Sequence, residues 1–242
     1  MPTSRPRRPR THSYLAVAAH VRDQIAAEGL GPHTLLPSER ELAQAQGVSR
    51  MTARQALSLL ESEGTVYRRP PRGTFVAEPR VRFRIGSFSE EISRLGRTPA
   101  ARLLWAEEQQ PTPSVRAALE LPDGATVHVF HRLRSVDDVP IALETTFYPA
   151  ELTPGILRET GDGSLWAVLR DHYAIKPAHS SAVLESVAID DASSAHLGVR
   201  PASPGILLTR RTTDAEGRPV EYARDVYRAD RASFEVSETL TE

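Results

Sequence analysis

Residues 36–76, LPSERELAQAQGVSRMTARQALSLLESEGTVYRRPPRGTFV, decide the fold of the first third of the chain. Ser38 with Glu41 three residues later has the form of a capping box, so a short helix starts there. Leu42 and Ala45 are its apolar positions, and Gly47 both stops it and lets the chain turn. Ser49 caps a second helix, in which Ala53, Ala56, Leu57 and Leu60 recur at helical spacing until Gly64. Two short extended runs, 65–69 and 74–77, follow around the Pro- and Gly-bearing turn at 70–73. Helix, tight turn, helix and hairpin make a winged helix-turn-helix.

The polar residues suit that geometry. Arg50, Thr52 and Arg54 crowd the first turns of the second helix, the end that would enter a DNA major groove. An arginine can grip guanine O6 and N7 with both arms, and a hydroxyl can reach a phosphate or a base. Arg40 stands on the preceding helix, and Arg68, Arg69 and Arg72 decorate the hairpin, where they suit phosphate or a narrow minor groove. A solvated basic face is the plainer alternative. Arginine at one helix start and again on the hairpin favours DNA.

The run Leu36-Pro-Ser-Glu-Arg-Glu-Leu-Ala43, then Gly47-Val-Ser-Arg50, Arg54-Gln-Ala-Leu57 and Arg72-Gly-Thr-Phe-Val76, resembles the DNA-binding domain of the GntR superfamily of bacterial transcription regulators. The resemblance covers roughly residues 13–77. It implies DNA contacts from Ser38, Arg40, Ser49, Arg50, Thr52, Arg54, Arg68, Arg69, Arg72, Gly73 and Thr74. Pro70 and Pro71 stiffen the wing where the family often has Gly or a charged residue.

Outward from this stretch, residues 13–28 form a further helix with Leu15, Ala18, Val21 and Ile25 on its buried side, and 32–37 form a loop. Residues 1–12 are rich in Pro and Arg and are expected to be disordered alone, either following DNA as a basic arm or staying a solvated tail. Residues 1–80 carry 12 Arg against 7 acids, whereas 81–242 carry 18 basic residues against 24 acids. The net charge of −1 therefore hides a basic front on an acidic body, which fits one domain on nucleic acid and one facing elsewhere. The absence of cysteine excludes disulfides, thiolate metal sites and cysteine catalysis, and suits a reducing cytoplasm. No signal peptide or membrane span is legible, so a soluble cytoplasmic protein is expected.

After a linker at 78–84 the pattern changes to strands near 101–108, 126–135, 139–148, 178–188, 206–213 and 220–227. Helices are expected at 89–95, 114–119, 164–173 and 192–197. These predict an α+β domain over 85–242, a mostly antiparallel sheet covered by helices. Arg132-Leu-Arg134 with Val139-Pro-Ile-Ala-Leu-Glu144, Ser164-Leu-Trp166, Leu197-Gly198-Val199 and Gly217-Arg-Pro-Val-Glu221-Tyr222 make it resemble the effector-binding domain of the HutC subfamily, related in fold to chorismate lyase.

Arg132 and Arg134 are two apart on a strand and point to one face. Such guanidinium groups repel unless an acid or a bound anion sits between them, and they are well shaped for phosphate or carboxylate. Ser164 and Ser89 are expected to begin helices, where free N–H groups also favour an anion, though each could be a simple cap. Glu144 and Glu221 are candidate hydroxyl readers, with Tyr227 on the same face as Glu221; pairing of Glu144 with an arginine is the alternative. Placing Leu133 with Ile141 and Leu143 on the core face requires an odd hairpin loop. A two-residue turn at Asp137-Asp138 is expected to put Glu144 on the wrong side. The family resemblance implies phosphate on Arg132, Arg134, Ser89 and Ser164, and a sugar against Glu144, Glu221 and Tyr227, with main chain near Phe88. Trp166 stands where the family usually has Tyr. The implied effector is a phosphorylated amino sugar.

The expected function is an effector-controlled regulator, acting as a repressor in the sense the family implies, and a homodimer on an inverted-repeat operator. An enzyme of chorismate-lyase-like fold acting on a small anion is the alternative, and an architectural DNA binder a third. No hydrolase, metalloprotease or phosphate-loop signature is present, and the eight His lack ligand spacing, so neither cofactor nor metal is expected.

Overall fold

The computed structural model describes residues 13–158 and 162–236. It divides into two compact units, 1–80 and 81–242. The basic arm at 1–12 lies outside the described residues.

The first unit contains α1 (Ser13–Ala27), α2 (Glu39–Ala45), α3 (Arg50–Ser62) and an antiparallel hairpin of β1 (Val66–Arg69) and β2 (Gly73–Val76). Its core joins Val17, Ala18 and Val21 of α1 to Leu42, to the Ala53, Ala56, Leu57 and Leu60 stripe of α3, and to Val66 and Val76 of the hairpin. Two apolar positions differ from expectation. Leu15 is exposed and Val17 takes its place, while α2 buries Leu42 and Ala43 and leaves Ala45 exposed. A seven-residue helix shows only one narrow stripe, and its rotation is set by packing against α3 rather than by spacing. At Gly73, with φ +124°, an added Cβ would fall 2.8 Å from Leu35 Cδ1, so the wing turn needs glycine.

The second unit is built on a six-stranded antiparallel sheet in the order β4-β5-β6-β9-β8-β7. Its strands are β4 (Pro99–Gln109), β5 (Val127–Val136), β6 (Val139–Pro149), β7 (His179–Ala188), β8 (Pro204–Thr213) and β9 (Pro219–Arg228). Helices α4 (Phe88–Arg94), α5 (Pro113–Leu119), α6 (Leu165–Tyr173) and α7 (Asp191–Leu197) pack on it. The expected strands and helices are all present, with ends moved by a few residues. Ser164 caps α6 as expected, but α4 is capped by Ser87, so Ser89 lies inside the first turn.

Residues read as linker hold a strand. β3 (Val81–Phe83) pairs in parallel with β10 (Ala232–Phe234), and Phe83, 2% exposed, packs on Phe88, Tyr227 and Phe234. Three-residue strands carry too little pattern to be seen locally.

The β5–β6 hairpin corrects the expected register. Its turn is the two-residue Asp137-Asp138, with φ of 47° and 65°, and Val136 opposes Val139. That parity alone would put Glu144 across the sheet from Arg132. A register shift between Arg134 and Ser135 leaves Ile141 as an extra residue, so Arg134 opposes Ala142 and Arg132 opposes Glu144. Ile141 therefore packs with Val136, Ala142 and Phe83, while Leu133 and Leu143 share another cluster.

Candidate functional site

In the first unit both serine caps are closed. Ser49 Oγ accepts from Thr52 N at 3.1 Å and lies 2.9 Å from Thr52 Oγ1. Ser38 caps α2, and Glu41 accepts from Ser38 N at 2.9 Å, a bond that with the Ser38 hydroxyl holds the Glu41 carboxyl below its usual range. Arg40, Arg50, Arg54, Arg69, Arg72 and Gly73 are exposed and Thr52 is half-buried. Two of the residues expected on DNA are engaged differently. Thr74 is buried, and its carbonyl accepts from Leu36 N at 2.8 Å. Arg68 ties the wing to α3, donating through Nη2 to Arg54 O and Ser58 Oγ, each at 3.1 Å, with Glu61 3.7 Å from its Nε. A basic residue on a hairpin reads as a phosphate contact in sequence. Only the fold shows that a helix lies within its reach.

In the second unit, cross-strand pairing gathers ionisable side chains on one face of the sheet. Glu144 stands opposite Arg132 on one side and Asp225 on the other, and Thr212 stands opposite Glu221. Side chains alternate along a strand, so Arg134, Asp225, Tyr227 and Arg210 share this face. Arg132, Arg134 and Arg210 are only 2%, 3% and 4% exposed. Buried cations need partners, and the partners are at hand. Arg132 pairs with Glu144 and donates to Gly163 O at 2.9 Å. Arg134 lies 3.3 Å from Glu144, donates to Ser89 Oγ at 2.8 Å and sits 4.2 Å from the Phe88 ring centre. Arg210 donates to Gly86 O at 2.9 Å and to Glu221 at 3.1 Å. Glu221 also accepts from Tyr148 Oη at 2.9 Å, Trp166 Nε1 at 3.0 Å and Thr212 Oγ1 at 3.2 Å.

Charge tuning follows from this packing. Burial pushes the Glu144 carboxyl up, but Arg132 and Arg134 outweigh it and bring the pKa to about 2. Asp225 moves the other way. Its burial, and then the charge of Glu144, raise it well above the usual carboxylate range. Burial works against the Arg210 cation, yet Glu221 and Asp225 outweigh it and raise its pKa. Burial and then Glu221 raise the Tyr148 phenol.

These residues enclose a small polar pocket with Phe88, Ser89, Arg132, Arg134, Glu144 and Ser164 on its wall. Trp166 and Glu221, also expected, complete it together with Ser87, Leu165 and Arg210, which were not. The free space is about 10 Å³, what one water molecule needs. Tyr227 does not line it and sits in the adjoining apolar cluster. Glu144 rests on both guanidinium groups, the alternative raised for it from the sequence. Arg210 carried a usable signal: its parity with Thr212 on β8 places it beside Glu221 once the β8–β9 hairpin is aligned. Among the described residues no group of His, Asp and Glu could hold a metal ion, and no helix is long and apolar enough to cross a membrane.

Comparison with known proteins matches residues 13–76 to the model of bacterial regulatory proteins of the gntR family and residues 94–233 to the UTRA domain. The HTH-type transcriptional repressor NagR of Bacillus subtilis is 33% identical over 224 residues, 91% of this chain and 92% of that protein. The HTH-type transcriptional repressor PhnF of Mycolicibacterium smegmatis is 36% identical over 203 residues, 82% of each chain. The crystal structure of PhnF superposes with a TM-score of 0.66 at 30% identity, covering 93% of this chain and all of that one.

Proposed function

Because the chain belongs to the GntR family of transcription regulators, in its HutC-type form with a UTRA effector domain, we propose that it is a repressor released from its operator by a small phosphorylated metabolite. The family's members are regulators, which sets the enzyme alternative aside. Three buried guanidinium groups converging with Ser89 and Ser164 on one pocket carry the effector half of the reading. Arginine pairs suit phosphate, and the backbone at the start of α6 adds donors. The resemblance to regulators of amino-sugar use makes an amino-sugar 6-phosphate the first candidate. A ligand of that size takes the seat that Glu144 now fills, so its phosphate replaces the carboxylate on Arg132 and Arg134. A displaced Glu144 is then available to sugar hydroxyl or amino groups. Glu221 can offer them Oε1, which accepts only from Tyr148 among its described bonds, while Oε2 serves three donors.

In the DNA-binding half, Arg50, Thr52 and Arg54 of α3 read the major groove, supported by Arg40, and Arg69 and Arg72 follow the backbone from the wing. A homodimer sets two such helices about one DNA turn apart on an inverted repeat. Effector and operator binding oppose each other through the domain arrangement each favours.

The test is a thermal-shift titration with glucosamine 6-phosphate and its N-acetyl form. At 100 times its dissociation constant a ligand adds about 2.7 kcal/mol to stability. Ser89→Ala is expected to shrink that shift and leave operator binding intact, whereas Arg50→Ala does the reverse. Arg132→Ala is the poorer probe, since breaking this buried ion pair costs about 3–5 kcal/mol and leaves Glu144 with Arg134 alone. If no phosphosugar stabilises the protein or weakens its hold on DNA, the effector half of the proposal fails.

A further inference from the structure

The start of α2 meets the second turn of α3 through one acid. Glu39, the first residue of α2, accepts from Arg54 Nε with both carboxylate oxygens, at 3.2 and 3.1 Å. Its Oε1 also lies 4.0 Å from Nη2 of Arg68, the side chain that straps the wing to α3. The Arg54 side chain is 59% exposed while that of Glu39 is only 30% exposed, so the acid lies behind the guanidinium. All the described side-chain hydrogen bonds of Arg54 run through Nε. Its two Nη groups make none among the described residues.

We infer that Glu39 is a specificity-determining positioning residue, holding Arg54 by Nε so that the Nη edge meets a base while the cation is withheld from phosphate. This rests on the DNA-reading role proposed above for Arg54.

The physical reason is that phosphate and guanine ask different things of an arginine. A phosphate attracts net charge and accepts it from many directions. Guanine O6 and N7 are neutral acceptors that need two donors in a fixed plane. A carboxylate bonded to Nε cancels most of the net charge that draws Arg54 to any duplex. It leaves the two Nη donors in place and reduces their freedom. The acid therefore weakens binding to arbitrary DNA more than binding to the correct sequence. Arg40, Arg69 and Arg72 supply the phosphate attraction that Arg54 gives up. Arg68 remains tied to Arg54 O, Ser58 and Glu61 when Glu39 is neutralised, so the wing keeps its anchor.

The experiment measures binding of the full chain, by fluorescence anisotropy over a salt series, to two duplexes. One is enriched by the wild-type protein from a random library and the other is its scrambled counterpart. In Glu39→Gln, affinity for the scrambled duplex should rise about tenfold at low salt, and its salt slope should steepen by about 0.9, one added phosphate contact. The ratio of the two affinities should fall by a similar factor. In an Arg54→Ala background the same substitution should leave that ratio where it was. Glu39→Asp, which keeps the charge but shortens its reach, should lower the ratio without raising scrambled-duplex affinity as far; it stands in if Glu39→Gln does not fold. An unchanged ratio in both variants overturns the inference, as does an equal fall without Arg54. If Arg54→Ala itself leaves the enriched duplex equally well bound, the proposed reading role of Arg54 fails instead.

Discussion

Asp225 is the side chain whose chemistry sequence reasoning had no means to find. It is 1% exposed, stands opposite Glu144, and its Oδ1 has no hydrogen-bond partner. Its pKa is raised by burial first and by Glu144 second, so the folded chain keeps a proton that the unfolded chain sheds above about pH 4. Stability contributed by that proton is therefore present at low pH and lost as pH rises toward the folded pKa. Asp225→Asn removes the titration while keeping the shape. Its melting temperature relative to wild type should climb between pH 4 and pH 8, and a constant difference would refute the assignment. Glu144 runs in the opposite sense, with stability held above about pH 4 and lost only as pH falls toward about 2. The legible residues were those two apart on one strand, such as Arg132 and Arg134, because alternation alone fixes their common face. Asp225 was not legible, and Arg210 only in its parity with Thr212. Their neighbours depend on how β8 and β9 align, and a register shift between Thr212 and Thr213 alters that alignment.

The β5–β6 hairpin shows both what a strand's sequence gives and what it withholds. Its two strands and a shared face for Arg132 and Glu144 were expected, whereas a two-residue turn was the arrangement expected to put Glu144 on the wrong side. The extra residue at Ile141 reconciles them, and nothing in the run Val139-Pro-Ile-Ala marks it except the difficulty of pairing Pro140 within a ladder. The turn itself supports a quantitative expectation. Asp138 is exposed with φ of 65°, a left-handed conformation that aspartate tolerates and β-branched residues resist. Asp138→Val should cost about 1–2 kcal/mol, read from the denaturant midpoint, while Asp138→Gly should cost nothing or stabilise slightly. Equal midpoints for Val and Gly would show that backbone strain is not what governs this turn. Asp137 is the poorer position to change, since it accepts from Arg97 Nε at 2.7 Å and Thr98 N at 2.9 Å.

At the scale of the molecule, the basic front and acidic body correspond to two separately packed units, divided at Arg80–Val81. If effector and operator oppose each other as proposed, linkage makes the opposition mutual. Saturating operator DNA should lower effector affinity by the same factor by which effector lowers operator affinity. Isothermal titrations with and without DNA measure both factors, and a clear inequality would mean that the two ligands do not share one equilibrium. The parallel pairing of β3 with β10 has its own bearing on the gene. The opening strand of the sensory unit is zipped to nearly the last described stretch of chain, so Phe83 depends on residues translated some hundred and fifty codons later. A nascent polypeptide can complete its reading head early, but it cannot seat the strand that leaves it until residues 232–234 have been made. A nonsense codon just before Ala232 would therefore be felt some hundred and fifty codons upstream, where sensing and gripping are joined in sequence.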